Sequence, residues 1–177
     1  MRGRGREILP ATVAAFLIYV ILDFTMHAVV WAAWWRDHGT FSLSLLELAQ
    51  RIPIGYSSFA IYSAGLCLLL ASEHSGRARV LVGLRLGAIV GMAYGLMFAL
   101  GVYSIARIPP FFLVLGPVST AVCSAGAGGA GAWVLGGVRK WRRVGLVALG
   151  GVVLFVLAIV AQNVLHIYPL GSQPGEP

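Results

Sequence analysis

Charge is what this sequence has least of. Asp and Glu together number 6 in 177 residues, and charged residues of both signs make up only 11%. A water-facing domain carries about 25% charged residues. So few charges cannot cover a globule of this length, which excludes the soluble class and leaves the surface to lipid. Cysteine is as sparse. Cys67 and Cys123 both fall inside apolar runs and no CxxC is present, which excludes a disulfide framework and a Cys-rich metal site and makes both thiols small core residues. HExxH, paired carboxylates and a G-x-S-x-G context are missing too, so neither metal-dependent nor serine hydrolysis is written in the chain.

What the chain does have is long apolar runs. Residues of hydrophobic type make up 59% of it and mean hydropathy is +0.87. A helical span needs about 20 largely apolar residues. Five segments qualify: Leu9–Trp35, Pro53–Ser72, Val80–Ser104, Phe111–Gly137 and Val144–Ile167. The expected fold is all-α, a single integral membrane domain over residues 1–168 built of five transmembrane helices. Arg36–Gln50 mixes leucines with polar groups and is expected to form a short interfacial helix after the first span. The Pro- and Gly-rich residues 169–177 are expected to form a flexible tail. Arg2, Arg4 and Arg6 ahead of an apolar run imitate a signal peptide, but that run is far longer than a signal core of about 7–15 residues and is read as a retained helix.

The formal charge of +7 does not point to nucleic acid, because the basic residues sit in short clusters between apolar runs. With five spans, nine of the 13 Lys and Arg share one side (Arg2, Arg4, Arg6, Arg77, Arg79, Arg139, Lys140, Arg142 and Arg143). Three lie opposite (Arg36, Arg51 and Arg107), and Arg85 lies within a span. The positive-inside rule then predicts a cytoplasmic N-terminus and an outside C-terminus.

The third span carries Gly83, Gly87, Gly91 and Gly95, and the fourth carries Gly116, Thr120, Ser124, Gly128, Ala132 and Gly136. Residues four apart share a helix face, so both helices present smooth faces that permit close backbone approach in lipid. Such a face serves either packing of these two helices or reception of a partner chain or flat ligand. The segment Ala125–Ala132 (AGAGGAGA) lacks the Lys-Ser/Thr ending of a phosphate loop and lies inside a span.

Ionisable groups within a membrane are functional candidates by default. Asp23 and His27 are four apart on the first helix, and Tyr62, Tyr94, Asn163 and His166 come to a similar level on the second, third and fifth. Together they predict a polar pocket opening outward. Three roles fit it: interhelical hydrogen bonding, a proton or solute pathway, or ligation of a heme or pigment by His27. Arg85 is expected to snorkel to the headgroups. No specific cofactor or metal follows from these residues.

Leu22-Asp23-Phe24 with His27, Gly83-Leu84-Arg85-Leu86-Gly87, and Tyr103 ahead of Pro109 resemble an uncharacterised family of small bacterial polytopic membrane proteins, over about residues 11–137. The resemblance implies a helical bundle in a bacterial cytoplasmic (inner) membrane, and carries no known activity. The leading functional expectation is a non-enzymatic accessory or structural subunit, in contact with lipid and with other membrane chains. The alternatives are a small proton or solute transporter using the Asp23/His27 pocket, or a heme- or pigment-binding protein with His27 as ligand.

Overall fold

A backbone in lipid has no water to bond, so each long apolar run must satisfy its own amides and carbonyls as a helix. The computed structural model describes residues 2–31, 45–72, 79–105 and 110–165. Among these there are five helices long and apolar enough to cross a membrane and no strand: α1 (Arg2–Thr25), α2 (Leu45–Ser72), α3 (Arg79–Ile105), α4 (Phe112–Leu135) and α5 (Lys140–Val164). The chain is an all-α, multi-pass membrane protein. Outward side chains such as Ile61, 74% exposed in the isolated chain, meet lipid rather than water.

Three helices start several residues ahead of their apolar runs, α1 at Arg2 among them. α2 begins at Leu45, so Pro53 lies inside it, because Leu45–Ile52 contains no helix breaker and the helix forms ahead of the proline. Leu45–Gln50, the end of the expected interfacial helix, are therefore its first turns; residues 36–44 lie outside the described residues, as do residues 169–177 of the expected tail. α5 begins at Lys140, its basic first turn continuous with the apolar run.

α4 is the hub. Its most extensive contact is with α3, the next with α1, and it also touches α2 and α5. Its composition explains this, because Ala125–Ala132 presents no bulky side chain on any face. A methyl added at Gly131 would sit 3.0 Å from Cys67 Sγ of α2 and 3.6 Å from Ala15 Cβ of α1. One added at Gly126 would collide with Leu22 and Ile18 of α1, and one at Gly128 with the carbonyl of Gly83 on α3. Without a hydrophobic gain between helices in lipid, such close backbone approach supplies the dispersion energy that holds them. α1 adds Ala11, Ala14 and Ala15, all fully buried, to the same core. α5 packs on α1, where Phe24 and Phe155 stack at 4.8 Å.

The α4–α5 turn is closed by Arg143. Its guanidinium donates to the carbonyl oxygen of Trp133, one of the last carbonyls of α4, and lies 5.0 Å from the centre of the Trp133 ring. The bond satisfies an acceptor that the helix end would leave open, and the ring adds a cation–π attraction.

The smooth faces of α3 and α4 meet each other. A methyl at Gly91 would lie 2.5 Å from Ser124 Cβ and 2.6 Å from the Thr120 carbonyl oxygen. One at Gly95 would lie 2.7 Å from Pro117 Cα, and those at Gly83 and Gly87 would run into the backbone of Gly128 and Ser124. The whole glycine stripe is thus spent on contact within the chain.

Candidate functional site

Near its end α1 stops being a regular α-helix. The Thr25 hydroxyl donates back to the Ile21 carbonyl at 2.8 Å, a bond that competes with and bends the helical ladder. Met26–Val30 then form a π-turn, with Trp31 N–H donating to Met26 O at 2.8 Å. Wider turns of this kind are rare and concentrate at functional sites, because the extra residue re-aims every side chain beyond it. Here Trp31 is turned onto α4, and its indole N–H donates to Ser119 Oγ at 2.6 Å.

Between the π-turn and its neighbours lies a cleft of about 290 Å³. It sits at the end of the bundle where α1 and α3 finish and α2 and α4 begin. Asp23, His27 and Trp31 form the α1 wall, Ser58 and Phe59 the α2 wall, Tyr94 and Phe98 the α3 wall, and Phe112, Ser119 and Thr120 part of the α4 wall. Its volume falls just under the roughly 300–1,000 Å³ typical of ligand pockets, and its lining is apolar with a few convergent polar groups, as such pockets are.

His27 and Asp23 are joined in an unexpected way. A ring beside a carboxylate is expected to be oriented by it, yet the closer contact of His27 Nδ1 is the backbone carbonyl of Asp23, at 2.9 Å, with Asp23 Oδ1 at 3.5 Å. A carbonyl can only accept, so Nδ1 carries the proton and donates it to the backbone. The shorter of these two contacts is thus to the main chain, with the carboxylate as the longer ion-pair partner. The Asp23 and His27 side chains are 27% and 47% exposed. Both line the cleft.

Tyr62 and Tyr94 stack at 5.7 Å, and Tyr62 also meets the Tyr19 ring edge-on at 5.4 Å. The Tyr62 hydroxyl donates to Ser124 Oγ, fully buried on α4, at 2.8 Å. Tyr62 thus backs the aromatic wall to which Tyr94 belongs. Tyr62→Phe should lower stability by about 1 kcal/mol, because it leaves a buried hydroxyl with one partner fewer. Chemical or thermal unfolding of the solubilised protein measures this, and an unchanged midpoint would mean that Ser124 finds other partners.

Asn163 is not brought to the cleft. α5 packs against another side of α1, and the Asn163 amide donates to Ile159 O of its own helix at 2.8 Å, exposed. His166 lies outside the described residues. Arg85 is exposed on α3, and the ion pair that Asp23 makes among the described residues is with His27. No cluster of three or more His, Cys, Asp or Glu occurs among the described residues. The aromatic lining from Phe98, Phe111 and Phe112, and the Trp31–Ser119 bond, were not legible as site features. An aromatic residue in a span signals lipid contact and core packing equally well, and the π-turn that aims Trp31 has no sequence signature.

No family model, curated protein or solved structure matches this chain.

Proposed function

We propose that this chain is a small-solute-binding protein of the cytoplasmic membrane, with the Asp23–His27 cleft as its binding site. The observation that carries the reading is the cleft, in which the Asp23 carboxylate at the end of α1 and the His27 imidazole in the π-turn line one aromatic space drawn from four helices. A carboxylate within a transmembrane helix is costly to insert, by up to about 2.5–3.5 kcal/mol at the helix centre. The closer partner of His27 Nδ1 is the Asp23 backbone carbonyl at 2.9 Å rather than the carboxylate at 3.5 Å, so a role in binding accounts for that expense better than orienting the ring does. The glycine faces, one of the two grounds for the accessory-subunit reading beside the small extramembrane portion, are occupied by α3 and α4 against each other. The volume suits a small solute better than a tetrapyrrole.

Native mass spectrometry of the protein released from its own membranes tests the reading. A stoichiometric small-molecule adduct is expected. A chain that emerges without one and in complex with larger membrane proteins would instead make it an accessory subunit.

The basic end of the bundle, where α1 starts and α4 hands over to α5, faces the cytoplasm in this proposal, and the cleft opens toward the outer side. The resemblance in the LDFxxH and GLRLG motifs supports a bacterial inner membrane. Reporter fusions at Gly76 and Gly171 should fall on opposite sides, the first cytoplasmic and the second outside. The same side for both would overturn this topology.

A further inference from the structure

Resting on the reading of the cleft as a binding site, the charge and chemistry of its walls specify a ligand class. Asp23 supplies a carboxylate, His27 beside it an imidazole whose Nδ1 is turned to the α1 backbone, and no Lys or Arg lines the cleft among the described residues. Tyr19, Tyr94, Phe98, Phe111 and Phe112 line the same space as the carboxylate. The face of an aromatic ring carries negative potential and attracts a cation within about 6 Å of its centre, the more so where water is excluded. The Asp23 carboxylate adds a formal negative charge in surroundings where its field is poorly screened. Both terms act in one direction, and both oppose an anion.

We infer that the cleft selects a small organic cation, a quaternary or protonated amine whose charged nitrogen sits against Asp23 and whose alkyl groups meet the aromatic walls. Ser58 and Thr120 are on the same lining, and since their hydroxyls donate to helix carbonyls, their remaining lone pairs can accept from a polar substituent. Strongly hydrated inorganic cations fit poorly, because a wall of carbon and ring faces replaces few of their water ligands. An alkylammonium gives up little hydration and recovers ring contacts.

The test is isothermal titration of the purified full-length protein in mild detergent with three probes of nearly one shape. These are choline, its uncharged isostere with carbon in place of nitrogen, and the anion of tert-butylacetic acid. Choline is expected to bind about tenfold or more tighter than either of the others, a difference of ~1.4 kcal/mol. Asp23→Asn should abolish that preference. Phe98→Leu, at an exposed position, should weaken choline about threefold and the isostere by less, since only the cation loses the ring's electrostatic attraction. Equal binding of choline and its isostere to the wild type would overturn the cation assignment while leaving the cleft as a binding site. Failure of all three to bind, in a protein whose mass spectrum still shows a native adduct, would likewise overturn the assignment and spare the site. Loss of the adduct and of all binding together would remove both.

Discussion

Gly87→Ala should destabilise the bundle by about 3 kcal/mol, the upper end of the ~1–3 kcal/mol range for overpacking. The added methyl would meet the Ser124 backbone, with its carbonyl carbon at 2.7 Å and Ala125 Cα at 3.0 Å. A flexible side chain could swing away from such a contact, but a helix backbone cannot. Relief requires α3 and α4 to separate along their shared stripe, which loses the contacts at Gly83, Gly91 and Gly95 as well. Gly101 provides the control within the same helix. Nothing lies within 4 Å of a methyl placed there, so Gly101→Ala should be neutral or stabilising by up to about 1 kcal/mol, through helix propensity alone. Unfolding of both variants in mixed micelles decides the matter, and similar stabilities for the pair would mean that the stripe does not set the helix spacing.

Asp23→Asn should separate binding from stability. The His27 ring is held by the Asp23 backbone carbonyl at 2.9 Å, and that bond survives the substitution. The carboxylate contact at 3.5 Å is the longer and weaker one. An amide is also less costly in lipid than a carboxylate, so the melting temperature should hold or rise. Retention of the bound solute should fall about tenfold to a hundredfold, the worth of one charge-assisted contact of roughly 1.5–3 kcal/mol. His27→Gln should share the loss of retention, with little change in stability because the side chain is half exposed. A clear drop in melting temperature with Asp23→Asn, and retention unaffected, would make the pair structural glue instead.

The sequence by itself determined the class and the course of the chain. Five apolar runs without enough charge to face water admit only membrane-crossing helices, since lipid leaves the backbone no other partners. It also determined that α3 carries a small-residue face, because a spacing of four residues is a property of helix geometry and needs no tertiary information. Asp23 and His27 stood out for the same reason, as ionisable groups where lipid penalises them.

What that face would meet was decided only in three dimensions. The α4 segment Ala125–Ala132 reads along the chain as low complexity, small on every side and committed to no neighbour. The fold uses all of those sides, placing α3 on one, α1 on another and α2 on a third, so that a stretch with no apparent direction becomes the centre of the bundle. The cleft was decided in the same way. Asn163 reaches neither the level nor the face of Asp23, because Phe155 already stands beside Phe24 and Asn163 lies about two helical turns further along α5. The π-turn at Met26–Val30 shifts the register of α1 just where a strict periodicity would be extrapolated. Trp31 therefore reaches Ser119, and the phenylalanines at the start of α4 close over Asp23, by a packing choice among helices that hydropathy alone leaves equivalent.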